Sequence, residues 1–545
     1  MNELNKVPSG EEQTAPADKE VQNAAVGFPK RMEPPLLTKV RQKFEITGFI
    51  SLLFGVFFTF CFYRAKLGFN ALLFTLVMVV LLVMIMKKYE ISIRRGTWFY
   101  YLGAALFGLS AALTSSDTLQ LLNIIAILLL LNLSLLHQFH DTGEWDVLKS
   151  LGKMLGMLLY GIASIGMPFL DSFQFLKKTR MFRNDRVRSI FAGILLAIPF
   201  LWIIILLLSQ ADIIFGDMTR RLALHIFSGD IILIAFLVFF GFLCCYSIIC
   251  GAAAQTGREE YLRKKGDASV AITVILLITI VYAVFCGLQI VYLFNSGLFA
   301  LPQGYTFAEY ARRGFFELLA VAVLNVVLML LGTTYFEENR FLRHLLTIMT
   351  ACTYVMIGSA TYRMLLYISA YRLTFLRLFV LLALAVIALF LAGVILSVYR
   401  RQFPLFRYGV VVIAVSYLIF SLAKPDHWIA VYLEQGKVQL TAEDAAYLTR
   451  ELSLDASATV LKLLSDESRW TEDAKQGKEM ENSLAEYTEY MFEEVRESNS
   501  IDYYNESYHE RIKREREGRG LRDYNPSVSK AWKEAKNNPI RYYKQ

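Results

Sequence analysis

The sequence predicts an all-α fold, a polytopic transmembrane helical bundle of about eleven spans with a small helical C-terminal extramembrane region. The first observation is a series of long apolar runs between about Ile46 and Leu422, such as LLFTLVMVVLLVMIM from Leu72 to Met86. Crossing ~30 Å of hydrocarbon takes roughly 20 apolar residues in a helix. The second observation is that basic residues crowd into alternate loops, and the third is a change to a soluble composition from Lys424.

The apolar runs divide the chain into six regions. The predicted spans cover approximately residues 46–63, 69–86, 97–115, 118–137, 189–209, 230–252, 269–293, 314–335, 345–367, 375–398 and 406–423. In chain order, we expect a disordered N-terminal tail (1–45), four transmembrane helices (46–137), a basic cytoplasmic linker (138–188), a seven-helix block (189–423), a small helical extramembrane region (424–497) and a Tyr-rich irregular tail (498–545). Within the extramembrane region, the segment that starts at Thr441 resembles a helix start.

The loop charges predict the orientation. The even-numbered loops are rich in Lys and Arg, for example Lys87, Lys88, Arg94 and Arg95 in the second loop, whereas the intervening loops are poor in both. Short basic loops remain in the cytoplasm, so the N-terminus is predicted to be cytoplasmic. Because the predicted number of spans is odd, the C-terminal region is predicted to be extracytoplasmic.

One segment of the linker controls that outcome. Met154 to Leu170 is apolar, but it is Gly-rich and slightly short, and we predict an interfacial or re-entrant helix. If it crossed the membrane, the C-terminal region would lie in the cytoplasm. The basic loop from Lys177 to Arg188 that follows is a candidate for binding anionic lipid head groups.

The composition excludes several classes of function. The formal net charge is +8, but no basic stripe is interleaved with stacking aromatics, so no nucleic-acid partner is expected. All six cysteines lie inside predicted spans, which argues against a disulfide framework. No Rossmann, P-loop or HExxH pattern is present in the C-terminal region, and no cofactor or metal ion is implied. The bilayer is the one partner that the sequence predicts, and the oligomeric state stays open.

Polar residues in the late spans are the candidate functional residues, because ionisable groups inside a membrane are expensive. Several stretches place them near one outward level: Asp212, Gln289, Glu309, Arg312, Arg313, Glu317, Tyr362, Arg363, Tyr367 and Arg372. One interpretation is an outward-facing polar cavity that binds an ion, a head group or a carbohydrate-like ligand. The other is helix packing through buried ion pairs, including a Glu317–Arg363 pair, and hydrogen bonds. Deeper groups, among them Asn325, Thr353 and Ser359, are expected to form interhelical hydrogen bonds.

Several stretches carry a family resemblance. SQADIIFGD, YTFAEYARRGFFELLAVAVLN, YRMLLYISAYRLTFLRLFVLLALAV, FPLFRY and KPDHWIAVYL occur in that order between roughly residues 190 and 465. Together they resemble a family of bacterial polytopic membrane proteins known only as a domain of unknown function, with RMLLYISAYRLT as the most specific block. The family has Asn-Pro-Asp where this chain has Lys424, Pro425 and Asp426. The resemblance implies a bacterial plasma-membrane location and no catalytic residue.

Three classes of function remain open. A transporter or an envelope-associated binding protein is slightly favoured, although the sequence shows no internal repeat. An integral-membrane enzyme acting on lipid-linked or envelope substrates is less favoured, because the first outer loop, Arg64 to Gly68, has no carboxylate. A membrane sensor or scaffold that uses its C-terminal tail is the third.

Overall fold

The structure is a computed structural model that describes most of the chain. The described residues are 34–139, 147–178, 229–254, 265–294, 315–400, 402–436, 439–472, 474 and 500–539, with isolated positions between 197 and 218. Within these residues the elements are helical and no strand is present, which confirms the all-α fold class. Ten helical segments among the described residues are long and apolar enough to cross a membrane, and one of them, Val147–Phe175, consists of two consecutive helices. Thr97–Leu113 is a shorter apolar helix. The chain is a multi-pass membrane protein.

The helices follow the predicted spans closely. In chain order they are α1 (Pro35–Gln42), α2 (Phe44–Phe62), α3 (Phe69–Lys88), α4 (Thr97–Leu113), α5 (Asp117–Phe139), α6 (Val147–Ala163), α7 (Met167–Lys178), α8 (Gly229–Ala254), α9 (Ala268–Phe294), α10 (Phe315–Tyr335), α11 (Arg340–Tyr371), α12 (Phe375–Tyr399), α13 (Leu405–Leu422), α14 (Pro425–Gln435), α15 (Ala442–Ala446), α16 (Ser457–Ser465), α17 (Ile501–Glu517) and α18 (Pro526–Asn537). The predicted span 189–209 lies outside the described residues except for isolated positions.

The helices α2 and α8 pack through a glycine contact. A Cβ atom on Gly55 would lie 2.2 Å from the carbonyl oxygen of Val238, and one on Gly241 would lie 2.8 Å from the Cα of Gly55. Lipid is as apolar as the side chains, so membrane helices associate through close packing, which small residues permit. This contact therefore requires glycine on both helices.

The described residues 425–436, 439–472, 474 and 500–539 form one helical domain after the last span, which we call the cap. Its apolar core surrounds the fully buried side chains of Trp470 and Tyr508. Thr441 begins α15 with a capping box, in which its hydroxyl accepts from the Asp444 backbone N–H and the Asp444 carboxylate accepts from the Thr441 N–H. The predicted helix start at Thr441 is confirmed.

The prediction of an irregular tail over residues 498–545 is wrong for the residues that the structure describes. α17 and α18 occupy most of that range, and Tyr504, Tyr508 and Ile512 bury one face of α17 in the cap core. These three residues recur every four positions, which is a helical period. The many charged residues between them concealed that period in the sequence.

The predicted disordered tail, residues 1–45, also needs correction at its end. Residues 35–42 form α1, and its Leu37 and Val40 are buried in an apolar cluster with Tyr246 and Cys250 of α8. Two apolar residues three positions apart are too short a pattern to predict a helix, so only the tertiary contact reveals it. Residues 1–33 lie outside the described residues.

The bundle has two ends of different chemistry. The cap contacts the turns 63–68, 114–116 and 372–374, and we call this the cap end. The opposite end, which we call the basic end, holds the turns 89–96 and 336–339 and the chain from 400 to 404. Basic residues in or beside those turns include Lys87, Lys88, Arg94, Arg95, Arg343 and Arg400.

The segment formed by α6 and α7 begins and ends at the basic end. Val147 lines a cavity there, and Gly161 lies against Gly251 near the C-terminus of α8. Asp171 then bonds to Arg41 of α1. By length and composition alone this segment could cross a membrane. Its contacts nevertheless hold both of its ends on one side of the bundle.

Candidate functional site

The predicted polar cluster is only partly described. Glu309, Arg312 and Arg313 lie outside the described residues. Asp212 is an isolated described position, and its exposed carboxylate accepts a hydrogen bond of 2.7 Å from the backbone N–H of Phe215. These four members therefore remain candidates on the sequence argument.

Glu317 does not pair with Arg363. In the first turn of α10, Phe315 and Leu318 are buried, and Glu317 between them is exposed. No ion pair joins Glu317 to Arg363, although both residues are among those described. The predicted ion pair is wrong, because the apolar residues of that turn take the inward face and leave the carboxylate outside.

Two other members of the cluster make specific contacts along α11. The Oε1 atom of Gln289 accepts a hydrogen bond of 2.9 Å from the hydroxyl of Ser359 and links α9 to α11. The guanidinium carbon of Arg377 lies 4.3 Å from the ring centroid of Tyr367, which is a cation–π distance. The polar residues here stabilise helix contacts and also present an arginine at the cap end.

Deeper polar groups form the interhelical hydrogen bonds that the sequence predicts. The amide nitrogen of Asn325 in α10 donates to the hydroxyl of Thr353 in α11 at 2.9 Å. Asn325 is fully buried, and its side-chain oxygen has no hydrogen-bond partner among the described residues. An unpartnered amide oxygen in a membrane interior costs free energy, so this position is of interest beyond packing.

Arg372 joins the polar cluster to the cap. It forms an ion pair with Asp444 of α15, and its Nη2 donates to the carbonyl oxygen of Gln439 at 3.3 Å. Its φ angle is 71°, a left-handed conformation that non-glycine residues rarely adopt. The turn after α11 is thus shaped around this contact with the cap.

Asp455 is the centre of a second contact between the cap and the bundle. Its carboxylate accepts hydrogen bonds from the hydroxyl of Thr114 at 2.5 Å, and from the backbone N–H and hydroxyl of Ser115 at 3.2 Å each. The ammonium group of Lys424 lies 3.3 Å away, and the Asp455 side chain is only 1% exposed. Charged hydrogen bonds of this kind are roughly twice as strong as neutral ones.

The loop between α17 and α18 makes a third contact, on the turn 63–68. Arg522 donates to the carbonyl oxygens of Phe60 and Tyr63 at 3.0 and 2.6 Å, and Arg519 donates to that of Leu67 at 2.6 Å. The last carbonyls of a helix lack intrahelical partners, so Arg522 satisfies the C-terminal end of α2, while Arg519 binds the turn that follows it.

Gly68 permits the closest approach in this contact, and Gly68→Ala tests it. A Cβ atom there would lie 2.5 and 2.6 Å from the backbone oxygens of Asp523 and Tyr524. We expect Gly68→Ala to weaken the attachment of the cap by about 1–3 kcal/mol, since backbone must shift to admit the methyl group. The measurement is protease protection of the cap in purified protein. Gly520→Ala is the control, because its nearest neighbour would be an ordinary 3.5 Å away; equal protection in both variants would contradict the account.

Asp426, buried at the start of α14, predicts a pH dependence. Burial raises the pKa of its carboxyl above the ordinary value, and the charge of neighbouring Asp455 acts in the same direction. The folded cap therefore holds this proton more tightly than the unfolded chain, and acidification through the raised pKa stabilises the cap relative to neutral pH. Asp426→Asn keeps an acceptor for the backbone N–H of Ser453 but removes the charge.

We expect Asp426→Asn to raise the unfolding temperature of the cap at pH 7 and to match the unsubstituted protein near pH 4, at about the ordinary pKa of Asp. Thermal unfolding of the two proteins across this pH range measures the difference. An Asp426→Asn variant that is less stable at pH 7 would show that the carboxylate is needed in its charged form.

A buried ionic network lies at the basic end. The guanidinium of Arg41 in α1 contacts the Asp171 carboxylate at 2.8 and 2.9 Å, and the hydroxyl of Tyr246 donates to the same carboxylate at 2.9 Å. The Asp171 side chain is 2% exposed. The network ties α1, α7 and α8 together. Nothing in the sequence predicts this network, since Arg41 lies in the predicted tail and Asp171 in the predicted linker.

The family model for a domain of unknown function (DUF4153) matches residues 101–463, well over half of the chain. The chain belongs to the DUF4153 family. This confirms the resemblance to a membrane family of unknown function. No curated protein and no solved structure matches the chain.

The DUF4153 match covers part of the contact between cap and bundle. It begins in α4 and ends in α16, and so includes Arg372, Lys424 and Asp455. The turn 63–68 and helices α17 and α18 lie outside it. The Asp455 contacts therefore belong to the family segment, whereas the contact at Gly68 is made by residues that the match does not cover.

Within the DUF4153 segment, the structure also forms a polar cavity of about 740 Å³ at the basic end. Arg343 lies in its wall, 3.8 Å from Glu338 and over the ring of Tyr399. Further polar lining residues are Lys265, Thr333, Glu337, Asn339, Ser397 and Gln402. The sequence does not predict this cavity, and its one signal there is the short polar turn between two spans. Among the described residues, no three His, Cys, Asp or Glu side chains are placed to hold a metal ion.

Proposed function

We propose that the protein lies in a bacterial plasma membrane with its N-terminus in the cytoplasm and its cap outside. The short turns of the basic end carry the Lys and Arg residues that favour the cytoplasmic side. The cap is also rich in basic residues, but the charge rule applies to short loops, and larger domains are translocated largely regardless of charge. The contacts at Asp455 and Arg372 support a cap at the opposite end.

This orientation requires the α6–α7 segment to return to the side from which it enters, as an interfacial or re-entrant element. The ring of Phe169 lies 5.9 Å from that of Phe239, near the middle of α8, while Asp171 lies back at Arg41. The structure does not describe the side chains of the basic stretch from Lys177 to Arg188. In this orientation the stretch would lie at the cytoplasmic surface. There it would attract anionic lipid head groups.

The function that this arrangement supports best is that of an envelope-associated binding protein with an outward-facing polar surface. The observation that carries the proposal is the Arg372–Asp444 ion pair, which joins the end of α11 to the cap. Arginine and tyrosine side chains there suit an anionic or hydroxyl-rich ligand, such as a head group or a carbohydrate. The proposed surface comprises Gln289, Tyr362, Arg363, Tyr367 and Arg372 with the undescribed Glu309, Arg312 and Arg313.

Transport is the second candidate function, and the buried amide of Asn325 favours it. Its unpartnered oxygen lies between α10 and α11, below the polar surface. Intramembrane polar groups that face a bundle interior often mark a substrate pathway.

Cysteine accessibility in intact cells tests the polar surface. Arg363→Cys and Tyr367→Cys are expected to react with a hydrophilic, membrane-impermeant maleimide added outside. Tyr354→Cys, in the middle of α11, is the matched control and is expected to remain unreactive, because lipid covers it. Reaction only after permeabilisation would mean that the orientation is reversed. No reaction under either condition would mean that the polar surface does not exist.

A further inference from the structure

We propose that the cap rests on the lipid bilayer, with Leu521 inserted into the hydrocarbon and Trp428 and Tyr432 at the lipid–water boundary. The cap would then have two contacts with lipid in addition to its contacts with the turns. These contacts with lipid are expected in either orientation of the protein, because they involve the leaflet at the cap end, whichever leaflet that is.

The first contact follows from the position of the loop between α17 and α18. Arg522 reaches the carbonyl oxygen of Phe60, two residues before α2 ends. Phe60 is itself half exposed on the outside of the bundle, where lipid surrounds a membrane helix. The loop therefore lies at the depth at which α2 leaves the hydrocarbon.

Leu521 is the exposed side chain at that depth. It is 94% exposed, although its neighbour Arg522 and nearby Arg519 are both held by carbonyls of the bundle. A single exposed leucine on a water-facing surface needs no explanation. Beside the end of a span, flanked by two arginines that remain at the head-group level, it has the arrangement of an apolar anchor.

The second contact is independent and lies on α14. This helix begins three residues after the last span ends at Leu422, so its first turns cannot be far from the boundary of the hydrocarbon. Trp428 and Tyr432 are one helical turn apart and are 57% and 44% exposed, whereas Ile429 and Leu433 face the cap core. Tryptophan and tyrosine are enriched at membrane–water boundaries, since their rings are amphipathic.

The positions of the two contacts favour lipid as the material that covers these exposed side chains. Each one directly adjoins the end of a membrane span, and each exposes apolar or aromatic side chains next to lipid-facing residues of that span, Phe60 in one case and Leu422 in the other. A second protein chain would have to displace lipid at both places.

Spin labels measure the environment of these side chains directly. The full chain is reconstituted in vesicles of phosphatidylethanolamine and phosphatidylglycerol, with a nitroxide at Leu521→Cys or at Trp428→Cys. Glu517→Cys, exposed on the last turn of α17, is the matched control. The unsubstituted protein gives the background, since five of the six native cysteines are buried and Cys244 is half-buried. Accessibility to oxygen reports lipid, and accessibility to a neutral nickel chelate reports water.

The expected result is a several-fold higher ratio of oxygen to nickel accessibility at positions 521 and 428 than at 517. Nickel accessibility at 521 and 428 equal to that at 517 would place both side chains in water and overturn the inference. Low accessibility to both reagents would mean that protein covers these positions, and this would also overturn it. Protease protection of the cap in each labelled variant verifies that the cap is still attached.

Discussion

Replacing Asp455 by alanine is expected to detach the cap from the membrane helices while the bundle remains folded. The carboxylate accepts hydrogen bonds from Thr114 and Ser115, forms an ion pair with Lys424, and is almost fully buried. Its removal leaves a partly buried backbone N–H and a partly buried ammonium group without their charged partner. Breaking a buried charged contact by removing one partner costs about 3–5 kcal/mol. Limited proteolysis of purified protein, with the cleavage rate of the cap as the readout, measures the effect.

Lys462→Ala is the matched control for Asp455→Ala. Lys462 also pairs with a carboxylate in the cap, that of Glu434, but its side chain is 73% exposed. Exposed ion pairs contribute little to stability, so this variant should be cleaved at the unsubstituted rate. If Asp455→Ala were cleaved at that rate as well, the buried contact would not hold the cap in place.

The second large effect is expected from Asp171→Asn at the basic end. The change preserves the shape of the side chain but removes the negative charge that faces Arg41, and it weakens the acceptor for Tyr246. We expect a loss of about 3–5 kcal/mol, because the pair is largely removed from water. Thermal unfolding in detergent or nanodiscs is the measurement, and the loss should appear as an earlier transition of α1 and α7.

A double-mutant cycle separates the pair from other effects. Arg41→Gln with Asp171→Asn should cost less than the sum of the two single changes, since neither charge is then left facing a neutral partner. Arg64→Gln is the control, because Arg64 also pairs with an aspartate, Asp230, but both side chains are exposed. Additive effects at Arg41 and Asp171 would mean that the contact does not stabilise the protein.

The membrane helices could be predicted from sequence because their signal is local. A long apolar run is by itself enough to predict a membrane-spanning helix. The capping box at Thr441 is likewise complete within four residues. The sequence predicts an interfacial or re-entrant path for α6 and α7, and this path remains a proposal, although both ends of the segment lie at the basic end. The sequence of α17 contains an apolar residue at every fourth position, but the charged residues between them are typical of a solvent-exposed, irregular segment.

The contacts of the cap could not be predicted, because they join residues that are distant in sequence. Asp455 and Thr114 are 341 positions apart, and Arg522 and Phe60 are 462 apart. No periodicity or spacing relates such residues. The prediction of a Glu317–Arg363 ion pair is wrong for a related reason. The sequence indicates how deep each residue lies in the membrane, but the direction of its side chain depends on which face of the helix packs against its neighbours.

Labelling of cysteines from outside intact bacteria tests the central claim, that the cap lies on the extracytoplasmic side, opposite the basic end. Lys530 on α18 and Arg95 in the turn 89–96 are both exposed. Labelling of each cysteine variant is compared with labelling of the unsubstituted protein, whose native cysteines are largely buried. If the cap lies outside, a membrane-impermeant maleimide labels Lys530→Cys in intact cells and Arg95→Cys only after lysis. Labelling of Arg95→Cys in intact cells, with Lys530→Cys protected until lysis, would contradict it.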